Sequence, residues 1–135
     1  MKPDNLFICE SGVVKLSDFG LAERYYTRDV DQSTTRVISL CMAPEVFTDG
    51  VVLKSDVWSL GMSVIEMADG RNPFVRMTSS EFIGEVLNKP PPSLSSSGWS
   101  DDLVDFVKRC LVKDVNERAS VEELLKVSVV VMGED

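Results

Sequence analysis

A mainly α-helical fold carrying one small β-hairpin is predicted by three features of the sequence. Residues 55–70 form a long apolar run, with Ser55 or Asp56 able to cap its start and Gly70 able to end it. Two short apolar runs, 6–9 and 13–16, flank the turn Glu10-Ser11-Gly12. Beyond residue 79, three further segments combine apolar periodicity with helix start signals.

The chain opens Met1-Lys2-Pro3-Asp4-Asn5, where Pro3 bars a helix and pushes Lys2 into an extended conformation. Runs 6–9 and 13–16 are then the strands of a hairpin, with Gly12 free to take positive φ in the turn. Residues 18–45 are rich in hydroxyls and charges, including Arg24, Thr27, Ser33, Thr34, Thr35 and Arg36. They show no useful periodicity and read as a long surface loop, a kind that is usually functional or disordered.

In the run 55–70 the polar residues Ser59, Ser63 and Glu66 fall on one narrow stripe, and most of the remaining surface is apolar. A helix of that kind is buried or spans a membrane. Crossing hydrocarbon takes about 20 apolar residues, so this one is a central core helix. Residues 71–78 read as a connection. Ser80 is the predicted cap of a helix over 81–89, stopped by Pro90-Pro91-Pro92. Ser100 caps the next helix, with Asp101 and Asp102 in its first turn and Lys108 and Arg109 near its end, matching the helix dipole. Ser120-Val121-Glu122-Glu123 is a capping box opening a last helix with Leu124 and Leu125.

At 135 residues the chain is one domain or part of one, and a 44% hydrophobic fraction is enough for a core. A net charge of −8 argues against nucleic acid and against an anionic membrane surface as partners. The scattered Cys9, Cys41 and Cys110 give no disulfide framework or metal spacing, which points to reduced thiols and a cytoplasmic location. There is no basic start followed by a long apolar run, so no leader peptide is expected. The sequence has no histidine, which excludes a histidine base within these residues and disfavours zinc.

The hairpin has a chemical consequence. Asn5 stands just before its first strand and Asp18 just after its second, so antiparallel pairing brings an amide oxygen and a carboxylate to one end. Both are hard oxygen donors suited to Mg²⁺, which is commonly held by one or two carboxylates plus substrate phosphates. Taken singly, Asn5 reads as a turn residue and Asp18 as a cap or a solvated acid. Together on one hairpin they favour a metal site.

These same residues carry a family resemblance. Lys2-Pro3-Asp4-Asn5 resembles the end of the protein-kinase catalytic loop, and Asp18-Phe19-Gly20 resembles the kinase magnesium-binding loop. Met42-Ala43-Pro44-Glu45 is similar to the close of the activation segment. Asp56-Val57-Trp58-Ser59-Leu60-Gly61 is similar to the start of the kinase central helix, and Arg118 lies in a matching late position. The stretches 64–70, 90–92, 99–102 and 106–113 look like the Sterile-twenty group of serine/threonine kinases, nearest the germinal-centre and Hippo-type branch. Lys2 is similar to the lysine that marks serine/threonine rather than tyrosine kinases.

The resemblance implies an incomplete large (C-terminal) kinase lobe: 1–20 as catalytic-loop end, hairpin and magnesium loop, 18–45 as activation segment, and 55–135 as helical subdomain. It implies ATP and Mg²⁺ as cofactors, with Asn5 and Asp18 on the metal and Lys2 at the transferred phosphate. Protein substrates and an upstream activating kinase are the implied partners, with Thr34 and Thr35 as regulatory phosphorylation positions. Phe19 and Gly20 are implied as structural, as is Asp56, which in the family holds the catalytic-loop backbone. Glu45 and Arg118 match a family ion pair, and breaking such a pair, if buried, costs roughly 3–5 kcal/mol.

Two departures accompany the likeness. Only Ser39-Leu40-Cys41 separates Val37-Ile38 from Met42-Ala43-Pro44-Glu45, where the family has a longer connection with a glycine, a threonine and an aromatic. Ser39 is the nearest hydroxyl to the missing threonine. The Val-rich end, 127–132, differs from the family's closing sequence. The catalytic aspartate is expected two residues before Lys2, outside the 135 residues, together with the glycine-rich loop, the strand lysine and its glutamate partner. These residues alone are therefore expected not to phosphorylate proteins. The alternative reading is a non-catalytic kinase remnant serving as a binding or scaffold module. An in-frame His-Arg-Asp-like triplet upstream would favour the first, and a transcript starting at Met1 the second.

Overall fold

The computed structural model describes residues 1–22, 38–95 and 97–127. It is mostly helical with a two-stranded antiparallel hairpin. A 3-10 turn over Pro3–Asn5, with proline at its start, leads into β1 (Leu6–Ile8), which pairs with β2 (Val14–Leu16). The register is Leu6 opposite Leu16, Phe7 opposite Lys15 and Ile8 opposite Val14. The turn closes through hydrogen bonds from the Gly12 N–H to the Cys9 carbonyl and from the Cys9 N–H to the Val13 carbonyl, both 2.8 Å. Gly12 has φ of 82°, the conformation for which glycine is suited.

A second 3-10 turn over Pro44–Phe47 precedes the central helix α1 (Ser55–Asp69). Helix α1 ends at Gly70 in the left-handed conformation, φ 74°. Its start differs from the expected side-chain cap: Lys54 occupies the cap position with helical backbone angles and no capping hydrogen bond. Ser55 is instead the first helical residue, and its hydroxyl is taken by Glu45 and the Val52 N–H. Helices α2 (Ser79–Asn88), α3 (Asp101–Cys110) and the short α4 (Val121–Leu124) follow.

The expected cap of α2 is corrected. Thr78 fills that position rather than Ser80, because Thr78 and Glu81 have the three-residue separation of a reciprocal capping box. The Glu81 carboxylate accepts from the Thr78 N–H at 2.8 Å, and the Glu81 N–H reaches the Thr78 hydroxyl at 3.4 Å. Ser100 and Ser120 cap α3 and α4, the latter with Glu123 completing a capping box.

The core is centred on α1, whose Val57, Trp58, Met62 and Ile65 are all buried. Helix α1 packs chiefly on α3, and its start rests against the Pro3–Asn5 turn. The two helices cross closely at Gly61: a Cβ added there would stand 2.6 Å from the Cys110 Cβ and 2.9 Å from Leu111. Helix α2 packs on the Pro44–Phe47 turn through Phe82, which meets Phe47 edge-on at 5.8 Å and Phe74 at 5.2 Å.

The polar stripe of α1 is used internally. Ser59 donates to the Cys41 carbonyl at 2.8 Å, and the fully buried Ser63 returns its hydroxyl to the Ser59 carbonyl. Glu66 accepts from the Asn72 side-chain amide at 3.1 Å. Exposed apolar residues include Phe7, Ile8, Val13, Val14 and Leu16 on the hairpin, and Val51 and Leu53 just before α1; on α1 itself the exposed apolar residue is Met67.

Candidate functional site

The first group of site residues lies where the hairpin opens. Because Leu6 pairs with Leu16, Asn5 and Ser17 are the next residues outward, and the Ser17 N–H donates to the Asn5 carbonyl at 2.9 Å. The Ser17 hydroxyl bonds the same carbonyl at 3.3 Å. Asn5 is half-buried, held by the 3-10 turn through its own N–H to the Lys2 carbonyl. Asp18 follows directly and is exposed, with φ of 62°, the only positive φ outside glycine among the described residues. A residue without glycine's freedom held in that region marks a backbone constrained by its surroundings, a feature concentrated at ligand and switch sites. The Asp18 carboxylate lies over Gly20, with Oδ1 3.5 Å from where a Cβ at Gly20 would stand. Phe19 projects outward, 65% exposed.

Lys2 has an extended backbone, and its ammonium lies 3.8 Å from the Asp4 carboxylate. Asp56, at the start of α1, is exposed, and its carboxylate is 3.8 Å from the Met1 amine, so it faces the segment leading into the hairpin. No group of three or more acidic, histidine or cysteine side chains is positioned to hold a metal ion among the described residues. Asn5 and Asp18 offer one amide and one carboxylate oxygen. That donor set fits an ion that keeps several waters and takes its other ligands from phosphate, as Mg²⁺ does, and does not fit an all-protein cage.

The second group is built around Arg118, whose side chain is fully buried. Its Nη1 and Nη2 donate to the two oxygens of Glu45 at 2.7 and 2.9 Å, a bidentate ion pair. Its remaining donors reach the carbonyls of Val112 and Lys54, both at 2.8 Å, and of Lys113 at 3.4 Å. Lys54 returns the contact, its ammonium donating to the Arg118 carbonyl at 2.6 Å. The guanidinium also lies 5.2 Å from the centroid of Trp58, a cation–π contact. Trp58 is 1% exposed, and its indole N–H has no hydrogen-bond partner among the described residues.

Burial alone would raise the Glu45 pKa, but the hydrogen bonds from Arg118 and Ser55 outweigh it, and the carboxyl is held below the ordinary glutamate value of 4.5. This cluster ties the Pro44–Phe47 turn to α1 and to the loop after α3. It is a structural joint, and Glu45 also lines an open surface pocket beside Pro44, Thr48, Asp49 and Asn116. The sequence signalled Glu45 and Arg118 by charge and position; Lys54 and Ser55 gave no such signal, because their roles depend on what folds beside them.

Ser39, the hydroxyl nearest to the missing threonine, is used locally: its Oγ accepts from the Cys41 N–H at 3.3 Å and its carbonyl from the Met42 N–H at 3.0 Å. Thr34 and Thr35 lie outside the described residues. Burial, with the Glu66 charge a smaller contribution, raises the Cys41 thiol to about 11, and burial raises Cys110 to about 12. Neither is a nucleophile at neutral pH.

Comparison with known proteins gives the geometry a family. The model of the protein kinase domain matches residues 1–130. The serine/threonine-protein kinase hippo of Drosophila melanogaster is 36% identical over 128 residues, which cover 93% of this chain and 19% of the fly protein. The chain thus spans about a fifth of the length of that curated relative. With the family match running from the Lys2–Asn5 segment through the helices beyond Arg118, and with a serine/threonine kinase as relative, the chain belongs to the protein kinase family.

Proposed function

We propose that these residues are part of a serine/threonine protein kinase whose whole polypeptide transfers the γ-phosphate of ATP to hydroxyls of protein substrates in a signalling cascade. In this reading residues 1–20 form the metal-binding end of the catalytic lobe, 18–45 its activation segment and 55–135 its helical subdomain. The observation that carries it is the hairpin end. The Ser17 N–H to Asn5 carbonyl bond fixes Asn5 beside the strand that delivers Asp18, and Asp18 has an unusual positive φ. Asn5 and Asp18 would hold Mg²⁺, which when bound neutralises charge on the phosphate oxygens of ATP. Asn5 is oriented by the 3-10 turn beneath it, and Asp18 by the tight turn over Gly20. Lys2 offers a cation on the same approach to the hairpin, suited to the charge of a phosphate in transfer.

Phosphoryl transfer rests on positioning and charge stabilisation by many parts together. The 135 residues include no His-Arg-Asp triplet and no glycine-rich nucleotide loop. Loss of a general base alone costs about 10²–10⁴-fold. On its own the segment is therefore inactive, and within the longer polypeptide Thr34 and Thr35 are the positions where an activating kinase would add phosphate. A phosphate there would pair with arginine and order the segment. The protein works in the cytoplasm on this reading.

The test has two arms. In the longer polypeptide, labelled ATP and a generic protein acceptor give transfer to serine and threonine, and Asp18→Asn abolishes it; transfer unaffected by Asp18→Asn refutes the assignment. In the 135-residue chain, Mn²⁺ used as a paramagnetic stand-in broadens the amide signals of residues 5 and 18 first, and Asp18→Asn removes the effect. Uniform broadening over all exposed acids refutes a built metal site.

A further inference from the structure

We propose that the segment 89–93, Lys-Pro-Pro-Pro-Ser, is a docking ligand for a protein module whose groove is built of parallel aromatic rings. The kinase reading gives this segment no role beyond ending α2. Lys89, Pro90 and Pro91 each precede a proline, which forces them toward extended or polyproline II angles. Lys89 is indeed extended, with φ −104° and ψ 160°. Each proline ring fixes its own φ near −65°. These restraints favour a polyproline II conformation, with three residues per turn, over 89–92.

Its presentation is what favours recognition. Pro90 and Pro91 are exposed, while Pro92 and Leu94 are half-buried, with Leu94 against the core. The two adjacent outward rings form the dipeptide ridge that an aromatic groove takes. Both ends are tied down. The Lys113 ammonium donates to the Leu87 and Lys89 carbonyls at 2.8 and 2.7 Å, and the Ser95 N–H donates to Asp69 Oδ2 at 2.8 Å. A partner therefore meets a ridge already in its bound shape, with less ordering cost than a free peptide.

The backbone selects the mode of binding. Prolines lack an N–H, so a partner cannot add as a β-strand along 90–92. The carbonyls of Pro90 and Pro91 accept no hydrogen bond among the described residues. They remain acceptors for the indole N–H or phenol O–H that such grooves present. Lys89, exposed beside Pro90, adds a cation that suits an acidic rim. A ridge of one dipeptide implies a single ring-lined pocket and weak, rapidly exchanging binding.

The experiment titrates a ¹⁵N-labelled WW domain with the unlabelled 135-residue chain. Saturable shifts confined to the domain's aromatic groove are expected, reversed by adding a proline-rich peptide known to fill that groove. The double variant Pro90→Ala/Pro91→Ala, with its fold checked by circular dichroism, is expected to weaken binding about tenfold or more. No shift at millimolar chain, shifts away from the groove, or an unchanged affinity for the double variant overturns the proposal. If the double variant unfolds, a synthetic peptide of residues 87–95 decides. Shifts at the same groove signals support the proposal, and their absence at millimolar peptide overturns it. Kinase activity enters none of these readouts.

Discussion

Replacing Arg118 with methionine removes the donor side of the joint between the Pro44–Phe47 turn, α1 and the loop after α3. Methionine keeps much of the apolar stem, so volume loss is small and the effect is mainly electrostatic. Glu45 is left as a buried carboxylate bonded by the Ser55 hydroxyl, at 2.7 Å, and by its own backbone N–H, with no cation beside it. The Val112 carbonyl loses its 2.8 Å donor. Removing one partner of a buried pair costs about 3–5 kcal/mol, and each stranded buried carbonyl adds about 1–3 kcal/mol. Against a total stability of about 5–15 kcal/mol, Arg118→Met takes most of the margin. The double change Glu45→Leu/Arg118→Met removes the stranded charge and is expected to recover at least half of that loss. Urea unfolding followed by tryptophan fluorescence measures both, since Trp58 lies 5.2 Å from the guanidinium. A single-variant cost below about 1 kcal/mol, or a double variant as unstable as the two singles summed, refutes the reasoning.

Other outcomes follow from the same structure. Glu45 has a folded pKa below its ordinary 4.5, so its contribution is fully present above that value and is lost as pH falls through the lower folded value; acid unfolding of Glu45→Gln will lack that component. Gly61→Ala sets a Cβ 2.6 Å from the Cys110 Cβ and is expected to cost at least about 1–3 kcal/mol in urea unfolding; Cys110→Ala will not rescue it, because the clash is with the Cβ that alanine keeps. Thr78→Ala should cost about 1 kcal/mol and Ser80→Ala less than about 0.5 kcal/mol, and equal costs would refute the Thr78 cap. In the native protein at mild alkaline pH, a thiol reagent should label Cys9 quickly and Cys41 and Cys110 only on unfolding.

Where information is local, the sequence was sufficient. The hairpin follows from two apolar runs and a glycine turn, the end of α1 from Gly70, and the starts of α3 and α4 from Ser100 and Ser120. The Thr78 cap was legible too, since Thr78-Ser79-Ser80-Glu81 is itself a capping-box sequence, and the nearer Ser80 masked it. Burial of α1 was readable because its apolar surface leaves a polar stripe too narrow for a solvent face.

What no window of sequence contains is how distant segments meet. Glu45 and Arg118 are 73 positions apart, and their bidentate contact exists only because α1, the preceding turn and the loop after α3 converge. The same convergence takes the Ser55 hydroxyl from its expected capping role and spends Ser59 and Ser63 inside the core. It also makes Gly61 a contact point between helices, for which the residue alone gave no sign. Propensity and capping act within a few residues of chain, so the sequence determined the elements. Desolvation and close packing act between neighbours in space, so the tertiary structure decided which polar groups are partners and which surfaces stay open.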